Sequence, residues 1–88
     1  MSAESHYLDA IESEDNGEIE NALASSRKAV EADPDHSNAW WMIANLLAPD
    51  GKYPDLEQAS KALVACTMVV KLDPSRVDAW VKGGRIMV

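Results

Sequence analysis

The chain repeats itself at a fixed interval. Asp33-Pro34 recurs as Asp73-Pro74, and Ala39-Trp40 recurs as Ala79-Trp80, both displaced by 40 residues. Val30 and Val70 fall in the same register. Two tryptophans in the same phase after two Asp-Pro stops constrain the fold more than any single motif does. A repeat of this size marks a supersecondary unit that cannot bury its apolar face alone and stacks on its neighbours. With 88 residues in all, the chain has room for one domain built from such units.

The apolar spacing within the repeat is helical. Tyr7, Leu8 and Ile11 follow an i, i+1, i+4 pattern until Asp15-Asn16-Gly17 supplies a turn. Ile19, Ala22, Leu23, Ala29 and Val30 mark a second helix over roughly 18–32. Asp33-Pro34 ends it, because the residue before proline resists the helical region and proline lacks an amide hydrogen. A third helix is predicted over about 37–48, with Trp40, Ile43, Ala44 and Leu47 on one face. The breakers between Ala48 and Pro54 form a loop, and Asp55 with Gln58 three residues on resembles a capping box. The fourth helix carries Leu56, Ala59, Ala62, Leu63, Cys66, Val69 and Val70 up to Asp73-Pro74. The segment from Arg76 to Val88 repeats the pattern weakly. Strand signals are nearly absent, with no sustained alternation and no β-branched run longer than Val69-Val70. The expectation is an all-α fold of about five helices in antiparallel succession.

This pattern resembles the tetratricopeptide repeat, whose 34-residue unit pairs two helices. In the second unit, Trp40, Ile43, Ala44 and Leu47 stand at the family's Trp, Leu, Gly and Tyr places, and Ala62, Cys66 and Pro74 at its Ala, Phe and Pro places. The surplus of about six residues over the family's period fits the loop between Pro49 and Pro54. The first unit keeps Ala22, Ala29 and Pro34 in phase, but has His6, Asp9, Ala10 and Ser13 where its first helix wants mostly large residues. The third opens with Trp80 and continues with Gly83-Gly84 and Met87. The resemblance thus implies a single domain over residues 1–88: an antiparallel helix-turn-helix solenoid fragment with units at about 1–34, 35–74 and an incomplete 75–88.

Two consecutive glycines in the fifth helix cost about 1 kcal/mol each relative to alanine. The last residues, Arg85-Ile86-Met87-Val88, carry an apolar face with no second helix behind it. Two readings stand side by side: a fragment or frayed end of a longer array, or a face covered by another chain.

Charge narrows the function classes. There are 15 acids against 8 bases, a net of -7. Residues 1–35 hold ten acids and two bases, a net of -8, and residues 36–88 hold five acids and six bases, a net of +1. That balance lacks the basic footprint of a nucleic-acid binder and the Lys/Arg clusters drawn to anionic membranes. The acidic opening MSAESHYLDAIESE does not read as a secretory leader, and no apolar run approaches a bilayer span. A cytoplasmic protein is expected. One cysteine, Cys66, allows no internal disulfide and no multi-cysteine metal site.

Catalysis finds little footing. His6 and His36 are 30 residues apart with no nucleophile pattern beside them, and read as surface or inter-helix histidines. Cys66 lies on the apolar stripe of the fourth helix and packs as a small hydrophobe. Asp50-Gly51 lacks the alternating acids and closing Glu of a calcium loop, and no glycine-rich phosphate cradle precedes a helix. The expectation is a non-enzyme without cofactor or metal.

The resemblance implies a binding role, because relatives use the first helix of each unit to line a concave groove for peptides or partner helices. Trp41 is rotated by about 100° from the Trp40 stripe, which places Asn38, Trp41 and Asn45 on a groove-facing ridge. The alternative for Trp41 is an extra core residue filling space against the first unit. The corresponding places are Glu4, Tyr7 and Ile11 in the first unit and Asp78, Val81 and Arg85 in the third. Tyr7 and Trp41 are the expected anchors, because aromatics dominate interface energetics, and Asn38, Asn45 and Arg85 the orienting polar groups. The carboxylate clamp of some relatives is not expected, since Tyr7, Trp41 and Val81 occupy its leading Lys place. The expected partner is a protein or peptide, with no nucleic acid and no membrane. The rival expectation is a homodimer or higher scaffold that completes its helical stack with a second copy through the C-terminal helix.

Overall fold

The computed structural model describes residues 2–48, 55–76 and 81. Within them the chain forms four helices and no strand: α1 (Ala3–Asp15), α2 (Ile19–Ala32), α3 (Ser37–Leu47) and α4 (Leu56–Leu72). The all-α expectation holds. The loop expected at Pro49–Pro54 and almost all of the fifth helix expected from Arg76 onward lie outside the described residues.

Local chemistry sets the boundaries. The Ser2 hydroxyl caps α1 by accepting from the Ser5 amide. Gly17 closes α1 from the left-handed region, at φ 78°. Its amide donates to the Glu14 carbonyl and the Glu18 amide to that of Ser13, the paired bonds of a Schellman turn. Asp55 opens α4 through an Oδ1 that accepts from the Gln58 amide at 2.8 Å, which is the half of a capping box made by the cap residue.

The two Asp-Pro turns adopt the same conformation. Asp33 has φ -143° and ψ 95°, and Asp73 has φ -141° and ψ 83°. Each aspartate amide closes its helix four residues back, on Ala29 and Val69, at 2.9 and 2.8 Å. Each aspartate carbonyl then accepts from the amide three residues on, His36 or Arg76, both at 3.1 Å. The aspartate side chain braces the turn in both, taking the Asp35 amide in one and the Ser75 hydroxyl in the other.

Packing runs α1 on α2, α2 on α3 and α3 on α4. Helix α3 buries two faces. Ala39, Ile43, Ala44 and Leu47 join Ala29 and Val30 of α2 and Ala62, Ala65 and Cys66 of α4 in one cluster. Met42 and Leu46 join Ala10 and Ala22 in a second. The sequence pattern anticipates the first face only. A helix with no charged residue, SNAWWMIANLL, suits a position between neighbours on both sides. Alanine dominates the contacts: Ala10, Ala22, Ala29, Ala39, Ala44 and Ala62 are wholly buried, so the helices approach closely. The one buried polar residue among those described, Ser26, donates its hydroxyl to the Ala22 carbonyl at 2.8 Å.

Candidate functional site

The expected ridge starts on α1 and continues on α3, and the structure brings the starts of these helices together. His36 stands immediately before α3. Its Nδ1 accepts from the Ala39 amide at 3.1 Å and so caps α3. An imidazole nitrogen that accepts carries no proton, which places the ring hydrogen on Nε2. That nitrogen donates to Glu4 Oε2 at 2.9 Å. The ring also lies against Tyr7, with centroids 4.9 Å apart and planes inclined at 50°, a tilted geometry favourable for aromatic pairs. His36 therefore reaches back onto two ridge residues of α1, Glu4 and Tyr7, with its own side chain only 11% exposed.

Arg76 stands in the corresponding place after α4, 40 residues beyond His36. Its Nη2 donates to Asn38 Oδ1 at 2.7 Å, and its guanidinium carbon lies 5.9 Å from the centre of a Trp41 ring, within cation–π range. Its Nε is 3.8 Å from Asp73 Oδ2. The two ridge residues of α3 that Arg76 meets, Asn38 and Trp41, are the places that match Glu4 and Tyr7 on α1.

The remaining ridge residues fall as follows. Ile11 is half-buried and packs at the edge of the cluster around Ala10 and Met42. Asn45 is half-buried and turns its Nδ2 back onto the Trp41 carbonyl at 2.9 Å. Asn38 is exposed, and Val81 is 49% exposed. Asp78 and Arg85 lie outside the described residues. Trp41 is half-buried: it packs against the core around Ile43 and meets Arg76 on its ring. Trp40 packs on the same core, with its indole Nε1 donating to the Pro34 carbonyl at 2.8 Å.

Sequence reasoning missed His36 and Arg76 as ridge partners. Their contacts lie 32 and 38 residues away, so no local spacing could reveal them. The one available signal was their shared place, third after the aspartate of each Asp-Pro turn.

Other chemistry is sparse. Cys66 is buried in the α3–α4 core. Among the described residues, no three His, Cys, Asp or Glu side chains gather where they could hold a metal ion, and no helix is long and apolar enough to cross a membrane. All ten acids of residues 1–35 are exposed. The sequence matches no model of a known protein family, and no curated protein matches it.

Proposed function

We propose that this chain is a non-enzymatic interaction module of the tetratricopeptide type, whose ridge of first-helix residues binds an extended peptide or a partner helix. One observation carries the reading. The same two ridge places, Glu4 with Tyr7 on α1 and Asn38 with Trp41 on α3, are each met by the residue third after the aspartate of an Asp-Pro turn. Such equivalence is what a stack of like units produces. The matching Asp-Pro turns support it further.

In this reading the anchors are the half-buried Tyr7 and Trp41, packed on the core and met by His36 and Arg76. The polar atoms left to orient a partner are Asn38 Nδ2 and Asn45 Oδ1, because the other end of each amide is occupied. A cytoplasmic setting goes with it, since the single cysteine packs in the core and the fold depends on no oxidising compartment.

The test is a selection from a random peptide library on the immobilised chain, followed by binding of the winners to Trp41→Ala and Val64→Ser. Val64, on α4, is 58% exposed and is not one of the ridge residues. Binding lost in Trp41→Ala and kept in Val64→Ser, with helical circular dichroism unchanged in both, is the expected result. Peptides that bind Trp41→Ala as well as wild type would overturn the ridge.

A second reading, association of copies through the C-terminal segment, draws on the charge asymmetry. The ten acids of residues 1–35 are all exposed, and a more basic end of another copy is attracted to them. Salt distinguishes it, because a charge-driven assembly weakens as the screening length falls to about 8 Å near 0.15 M.

A further inference from the structure

We propose that His36 and Arg76 are equivalent latches that position the ridge aromatics, and that the His36 latch alone answers to protonation. The contacts stand on their own geometry; only the equivalence of the two places rests on the repeat reading.

Each latch makes one hydrogen bond to a polar ridge residue and one contact with the ring of the aromatic three residues further along that helix: Glu4 and Tyr7 for His36, Asn38 and Trp41 for Arg76. Each is anchored by its backbone amide to the carbonyl of the turn aspartate. The aromatic side chain is thereby held between its own helix and the turn residue against it, which lowers the ordering cost of using it as an anchor.

The two latches differ in what a proton does to them. Arg76 is cationic at every accessible pH. His36 caps α3 through an unprotonated Nδ1, and the Ala39 amide it holds has only one other acceptor, the His36 carbonyl at 3.2 Å. A proton on Nδ1 turns that acceptor into a donor facing a donor, so the ring must leave the cap. Nε2 still donates to Glu4, now as an ion pair. The titratable groups that meet the ring are Glu4 and Tyr7 on α1; from the turn the Asp33 carbonyl holds the His36 backbone amide, α3 itself carries no charge, and Arg76 bonds Asn38. Acid thus converts the first latch from a cap plus a hydrogen bond from a neutral ring to the Glu4 carboxylate into an ion pair alone. It frees the first turn of α3 and shifts the ring from Tyr7.

Nuclear magnetic resonance reads this without any ligand, so its outcome is independent of whether a peptide binds. The pH titration is run in a His6→Gln background, because His6 neighbours Tyr7 in the chain. The signals followed are the His36 ring, the Ala39 amide, the Tyr7 ring and the Trp41 indole. The Ala39 amide and the Tyr7 ring should move with the His36 midpoint, and Ala39 amide exchange should quicken several-fold as His36 protonates. His36→Asn keeps an acceptor for the cap and should abolish the response. Arg76→Ala should move the Trp41 indole and leave Tyr7 in place, with Arg76→Lys intermediate and usable if the alanine variant fails to fold. An Ala39 amide or Tyr7 ring that ignores the His36 titration overturns the protonation response. A Trp41 indole unmoved by loss of the Arg76 guanidinium overturns the latch equivalence.

Discussion

Gly17 sits in the left-handed region at φ 78°, and a Cβ placed on it would meet nothing within 4 Å. Gly17→Ala therefore isolates the backbone cost of that conformation and should lower stability by about 1 kcal/mol, read as a reduced midpoint in chemical denaturation. His36→Ala should cost a similar amount, about 1 kcal/mol, through loss of the α3 cap, while His36→Asn stays near wild type because asparagine caps well. Gly17 and Asp55 were legible in the sequence because turn and cap chemistry acts over three or four residues. His36 and Arg76 were not legible, because what they do is decided by residues more than 30 positions away. Trp41 lies between these cases. Its rotation off the Trp40 stripe follows from helical geometry, but the guanidinium on its ring follows only from the fold.

At the scale of the element, α3 shows where periodicity stops informing. Trp40, Ile43, Ala44 and Leu47 were read as one face, and all four join the same cluster, with Trp40 only half-buried. Met42 and Leu46 are buried as well, against Ala10 and Ala22. A pattern scan that seeks one apolar stripe has no place for a second, and only the position of α3 between two neighbours explains it. Leu46→Ala should thus destabilise as a core truncation, by about 2–4 kcal/mol, with the denaturant slope unchanged. A surface-like loss of a few tenths would mean that this second face is open. The alanine contacts make the opposite prediction equally sharp. Ala44→Leu pushes extra methylenes into a wholly buried site and should cost about 1–3 kcal/mol by overpacking, seen as a lower melting temperature.

Across the whole molecule, charge and surface divide the two proposed modes of association. The acids of residues 1–35 are all exposed, so the asymmetry visible in the sequence is a property of the surface and not of a buried network. If the ridge is the working surface, light scattering after size exclusion should give 9.6 kDa across a wide concentration range, at low and high salt alike. A mass of twice that or more, surviving dilution, would move the weight to association of copies.

The ridge itself is tested most directly by titrating a library-selected peptide into isotopically labelled protein and mapping which signals move. The account predicts that the Trp41 indole, the Tyr7 ring and the side-chain amides of Asn38 and Asn45 shift together and saturate at one affinity. Shifts confined to Leu56 and Val64, the most exposed large apolar residues of α4, with the ridge signals unmoved, would contradict it.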